Sequence, residues 1–209
     1  MGRAADRDKG RVSLEKAKII LDGAMQEFLI HGYAGASMDR LAVAAGVSKP
    51  TLYNYFQNKE GLFTALIERL AQEKLQAILE SQDSQGLQGE TEVVLRRIAI
   101  KLLNTITGDQ QLLAFIRLVI GESGRFPKLA RSFVSSLDKP IILALTQHLA
   151  TRHELLDPEA GARVIFGTLV YFVIIQEILC TEDVLPMEYE RLIDTLVSLF
   201  SSQSQKSEE

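Results

Sequence analysis

Apolar residues recur at spacings of three and four along almost the whole chain, as in Tyr189, Leu192, Ile193, Leu196, Val197 and Phe200. That period belongs to the helix, in which positions i, i+3, i+4 and i+7 share a face, and the alternation of a half-buried strand is almost missing. Proline, which would interrupt the pattern, occurs five times in 209 residues. The expected fold class is all-α, with about nine helical segments. At 46% hydrophobic residues the chain can bury a substantial core, as one large helical unit or as a small module joined to a larger one.

Punctuation divides the segments. Ser13 reads as the N-cap of the first, Ala17, Ile20, Leu21, Ala24 and Phe28 as its apolar stripe, and His31-Gly32 as its stop. A longer helix is expected from Lys59 to about Glu80, capped by Asn58 and closed by the polar connection SQDSQGLQG. Others follow near 91 to 106, 110 to 122, 127 to 150 with Pro127 in the first turn, 158 to 180 behind an Asp157-Pro158 pair, and after Pro186. The tail SSQSQKSEE has the composition of a disordered segment.

Between the first helix and the one opened by Asn58 lies SMDRLAVAAGVSKPTLYNYFQNKEGLF, residues 37 to 63, which reads as two short helices. Ser37 caps the first, Asp39 occupies its first turn, Leu41, Ala42 and Ala45 face inward, and Gly46 ends it. Ser48 caps the second, Pro50 lies in its first turn, and Leu52 and Phe56 point to the core. A three- to four-residue connection between short helices is a helix-turn-helix, with small Ala42 permitting close approach. The N-terminal end of such a second helix enters a major groove. There Lys49 can donate to guanine, and Pro50 or the Thr51 methyl can touch a thymine methyl. Tyr53, Asn54 and Tyr55 offer hydroxyls and an amide to phosphate oxygens, and Lys59 adds a charge at the start of the next helix.

Charge follows the same division. The chain carries a net charge of −4. Residues 1–59 nevertheless hold nine Lys/Arg against six Asp/Glu, and the remainder fourteen against twenty-one, so a basic head precedes an acidic body.

From Ala17 onward, the run FLIHGYAGASMDRLAVAAGVSKPTLYNYFQNKEGLFTAL resembles the DNA-binding domain of the TetR-type one-component bacterial regulators, over about a quarter of the chain. The resemblance implies a three-helix DNA-binding domain, a linking fourth helix, a helical ligand-binding and dimerisation body, and a homodimer on a partly palindromic operator. It places the base-proximal positions on Lys49, Pro50 and Thr51, and the phosphate contacts on Ser37, Met38, Tyr53, Tyr55 and Lys59. Asp39 stands where some members carry a base-reading arginine. RLVIGESGRFPKLARSFV, residues 117 to 134, resembles the C-terminal domain of the efflux-regulator subgroup. The expected organisation is therefore a basic arm and helix-turn-helix domain over 1–58, a linking helix and body over 59–203, and a disordered tail over 204–209.

Segment 158–180 is apolar on nearly all faces, with Gly161, Ala162 and Gly167 near its start, and must be covered by protein. With 187–201 it suits a four-helix dimer interface, although both could simply complete a monomer core. Phe115, Phe126, Phe133, Tyr171 and Phe172 are the aromatics available to line a pocket between the fourth helix and segments five to eight. Glu122 and Gln176 are its candidate polar anchors.

Other chemistry finds little footing. Cys180, the single cysteine, excludes an internal disulfide or a cysteine-based zinc site and fits a reducing compartment. His148 and His153, five apart with Glu154 adjacent, miss the i, i+4 spacing of paired ligands. No nucleophile elbow, phosphate loop or HExxH motif appears, so no catalytic residue, metal or cofactor is expected. The N-terminus lacks a signal-peptide core, and the longest apolar run, VIFGTLVYFVII, falls short of the roughly 18 to 20 residues that span a bilayer, which places the chain in the cytoplasm without a membrane partner. The reading is a homodimeric repressor released from DNA by a small, largely apolar ligand. A ligand-independent activator or architectural DNA binder, and a helical carrier without DNA binding, are the alternatives.

Overall fold

The computed structural model describes residues 2–79, 90–151 and 157–201, with the side chains of 13–79, 90–151 and 157–200. Among them every regular element is helical: α1 (Gly2–Gly35), α2 (Met38–Ala44), α3 (Lys49–Tyr55), α4 (Lys59–Leu79), α5 (Thr91–Thr107), α6 (Gln110–Glu122), α7 (Pro127–Phe133), α8 (Lys139–Leu149), α9 (Pro158–Val173) and α10 (Tyr189–Ser201). A π-helical turn, Val134–Asp138, joins α7 to α8, and another, Ile174–Ile178, prolongs α9. The connection 81–89, His153, Glu154 and the tail 202–209 lie outside the described residues.

α1 starts at Gly2, so Ser13 sits inside a helix and caps nothing. The expected glycine stop is present, because Gly32 takes φ 71 and ψ 167, a left-handed backbone that side chains resist. Asn58 caps α4 by accepting the Gly61 N–H at 2.8 Å. The expected helix over 127 to 150 is interrupted by its own Pro140, which has no N–H for the preceding turn, and the wider π turn falls just before it.

That turn holds Asp138, whose carboxyl burial pushes up to about 6. The folded chain therefore holds its proton more tightly than the unfolded chain, and stability falls as pH rises from about 4 through about 6. Asp138→Asn is expected to raise the melting temperature near neutrality, with a gain of at most ~3 kcal/mol, and to flatten the pH dependence over that window. Thermal melts of both proteins across the window check it, and parallel curves would refute it.

The chain divides into two compact units, one formed by Met1–Leu70 with Leu118–Phe133 and the other by Ala71–Arg117 with Val134–Glu209. The division differs from the one expected at residue 58. Leu62, Phe63, Leu66 and Ile67 of α4 are fully buried in the first unit, and Phe126 completes its aromatic cluster. There the Phe63 ring meets those of Phe28 and Tyr33 edge-on at 5.0 and 5.2 Å, and Tyr33 meets Phe126 at 4.7 Å. Such pairs add ~0.5–1.5 kcal/mol each beyond their burial.

The second unit packs α5, α8, α9 and α10 around Leu95, Leu102, Leu145, Ile165, Leu169 and Leu196. Its helix Pro158–Ile178 spans 21 residues and is long and apolar enough, by length and composition, to cross a membrane, which extends the shorter apolar run read from the sequence. Core helices of soluble proteins meet the same test. In the single chain α9 leaves Val164 and Tyr171 more than half exposed.

Candidate nucleic-acid interface

Each of the two short helices is fixed at its start by a serine. The Ser37 hydroxyl accepts the Arg40 N–H at 3.3 Å, and the Ser48 hydroxyl accepts the Thr51 N–H at 3.2 Å. Between them Gly46 takes φ 63, its N–H reaching the Val43 carbonyl and the Val47 N–H the Ala42 carbonyl, both at 3.0 Å. A Cβ at Gly46 would meet open space, so backbone conformation rather than room calls for glycine there. Leu41, Ala42, Ala45 and Leu52 are buried, which fixes the face the pair turns inward.

A close backbone approach also joins α1 to α2. A Cβ on Gly23 would lie 2.5 Å from the Ala45 Cα and 2.7 Å from the Ala44 carbonyl oxygen. Sequence reasoning missed Gly23, although an isolated glycine within a helical pattern is the usual signal of such an approach. A second tie joins the same helices, with the Arg40 guanidinium 3.0 Å from the buried Glu27 carboxylate and 2.6 Å from the His31 ring.

Of the residues expected to meet DNA, Ser37, Lys49, Pro50, Tyr53 and Asn54 are exposed, while Met38, Thr51 and Tyr55 are half-buried. The Thr51 hydroxyl lies 2.8 Å from that of Ser48. The Lys49 ammonium pairs with Asp39 across the turn at 2.6 Å, and that hydrogen bond raises its pKa. Phe56, expected in the core, is half-buried with its ring 6.2 Å from that of Tyr55, because the chain leaves α3 there in an extended conformation.

Lys59, expected to contact phosphate, is also engaged within the fold. Its ammonium donates to the carbonyls of Tyr33 at 2.7 Å and Ala36 at 2.8 Å and lies 4.5 Å from the centre of the Tyr33 ring. Burial lowers its pKa, against the pull of Glu122. Two of its three protons are thereby engaged in fixing the entry to α2.

The residues expected to line a ligand pocket separate between the units. Glu122 accepts the Ala34 N–H at 3.2 Å and Phe126 stacks edge-on against Tyr33, so both serve the first unit, to which Phe133 also belongs. Phe115, Tyr171, Phe172 and Gln176 belong to the second. Phe115 is fully buried, Tyr171 is exposed, Phe172 packs against the core, and the Gln176 amide donates to the Leu185 carbonyl at 2.7 Å. An open groove of about 390 Å³ along α5, lined by Glu92, Val93, Arg96, Arg97, Ile100 and Lys101, contains none of them.

Residues 20–66 match the model of the tetR family of bacterial regulatory proteins, and residues 93–203 match that of the C-terminal domain of AefR-like transcriptional repressors. The HTH-type transcriptional repressor ComR of Escherichia coli (strain K12) is 43% identical over 63 residues, 30% of either chain. Over the curated relatives it matches, such as ComR and the Bacillus subtilis regulator YhgD, the chain spans 30% and 38% of their length. Likeness to solved structures extends further. The Flavonoid-responsive Regulator FrrA is 32% identical, with 89% of this chain and 95% of that one covered at a TM-score of 0.69. A putative regulator from Mesorhizobium loti is 26% identical, with 91% and 96% covered at 0.66. Together with the capped helix-turn-helix, these matches establish that the chain belongs to the tetR family of bacterial regulatory proteins, a family of helix-turn-helix transcription regulators and not of enzymes.

Proposed function

We propose that the chain is a cytoplasmic repressor that binds a partly palindromic operator as a homodimer and leaves it when a small, largely apolar molecule enters the helical body. The observation that carries the reading is the pair of serine-capped helices presenting exposed Lys49 and Pro50 at the start of α3. Ser37, Met38, Thr51, Tyr53, Asn54, Tyr55 and the remaining proton of Lys59 would complete the DNA contact.

Dimerisation through 158–180 and 187–201 is supported by unpartnered apolar surface. Val164, Tyr171 and Leu199 are each more than half exposed, and Gly167 between the first two has open space above it, as a close helix contact requires. An effector is supported by the likeness to FrrA, whose name records a flavonoid response. Its route to DNA would run through 118–133, because Glu122 and Phe126 touch the α1 end that Lys59 also holds. The effector must favour a state whose two α3 helices no longer match grooves about 34 Å apart, and bound DNA must weaken effector binding equally.

The test is selection of operators from fragmented source genome with the purified chain, followed by salt titration on the best fragment. A discrete palindromic site is expected, with affinity falling roughly a thousandfold or more between 50 and 200 mM salt. Enrichment of no sequence at low salt would refute the DNA-binding reading.

A further inference from the structure

We propose that Asp39 and Lys49 read one G·C pair of the operator as a unit, the lysine donating to guanine O6 or N7 and the carboxylate accepting from the cytosine N4 amino group. The proposal rests on the DNA-binding reading above. It starts from geometry: Lys49 Nζ stands 2.6 Å from Asp39 Oδ1, with both side chains more than half exposed on the two helices of the turn. Seen from the major groove, a G·C pair offers the guanine O6 acceptor beside the cytosine N4 donor. Those two atoms are themselves hydrogen-bonded, so they stand about 2.9 Å apart, close to the spacing of the protein's donor and acceptor. A protein donor and acceptor at that spacing can each meet its complement without parting.

An A·T pair with adenine in guanine's place shows the same two places in reverse, an N6 donor and an O4 acceptor, whereas T·A keeps their order and differs by a thymine methyl where guanine has N7. With adenine in guanine's place the ammonium would face an amino group and the carboxylate a carbonyl, a like-for-like clash that rejects that pair. Lys49 has capacity for this, since one of its three protons serves Asp39 and two remain. Asp39 is not shared with its neighbour Arg40, whose guanidinium is drawn back to Glu27 and His31. The unit carries no net charge, so it contributes discrimination rather than general attraction to phosphate.

The experiment uses the full chain and its selected operator, with each base pair changed in turn, for the natural protein, D39A, K49A and the double variant. Asp39 is 67% exposed, so D39A is expected to keep its fold, checked by circular dichroism. In the natural protein one G·C pair per half-site should cost about tenfold or more when changed to A·T with adenine replacing guanine. D39A and K49A should each lose that preference, and the double variant should be no flatter than either. Full retention of the preference by D39A overturns the proposal. So does tighter binding of D39A to every sequence alike with a salt slope steeper by about one unit, the mark of a carboxylate that only screens phosphate charge. Failure of the natural protein to enrich any operator overturns the DNA-binding reading instead, which keeps the two failures apart.

Discussion

Gly23→Ala is expected to loosen the helix-turn-helix and to weaken operator binding at least tenfold, although alanine is the better helix former. Two effects compete. Alanine in a helix is favoured over glycine by ~1 kcal/mol. Against that, the new methyl would stand 2.5 Å from the Ala45 Cα and 2.7 Å from the Ala44 carbonyl, backbone atoms that cannot rotate aside. Overpacking of this kind costs ~1–3 kcal/mol and occasionally more, so the clash wins and α1 and α2 must separate. The separation carries Lys49 and Pro50 with it, because α2 is tied to α3 through the Gly46 turn and the Asp39–Lys49 pair. Gly121→Ala, in α6 with nothing near its Cβ, is the control and should be neutral or slightly stabilising. Thermal melts and operator titrations of both variants decide the matter. A Gly23→Ala protein as stable as its parent, with unchanged affinity, would remove Gly23 from the site.

The second large effect is expected at the exposed apolar face. Tyr171→Glu combined with Leu199→Glu places two carboxylates on side chains that are 58% and 62% exposed in the single chain, so the fold of each subunit should survive. Buried in a dimer, those charges would lack partners and cost several kcal/mol. The variant should sediment as a monomer at concentrations where the parent is a dimer. Losing the second half-site contact should cost roughly a hundredfold to ten-thousandfold in operator affinity, with the salt slope close to half. A variant that remains dimeric would move the interface away from α9 and α10.

The helix pattern was legible because its physics is local. Apolar spacing, the Ser37, Ser48 and Asn58 caps and the Gly32 and Gly46 stops all act within a few residues. What the sequence hid depends on contacts between distant residues. Lys59 looks like a free cation until its 2.7 and 2.8 Å bonds to carbonyls more than twenty positions earlier are seen. Glu122 and Phe126 look like pocket residues until the fold turns them onto Ala34 and Tyr33. Asp39 was readable as a departure from a pattern, but its pairing with Lys49 is a fact of how α2 meets α3. Ser13 misled for the opposite reason, since a good capping residue is no cap when the helix begins well before it.

The segment 118–133 has a consequence for synthesis. The unit it completes begins at the N-terminus, but Phe126 and Glu122 are translated long after Tyr33, Phe63 and Ala34. At ordinary elongation rates the interval between residues 70 and 133 is roughly 3 to 13 s, far longer than a small helical unit needs to fold. During that interval the nascent helix-turn-helix has its serine caps and its glycine turn but lacks the ring that covers Tyr33 and the carboxylate that receives the Ala34 N–H. The part that would recognise DNA is therefore complete only once residue 133 has been added, although most of it is made by residue 70.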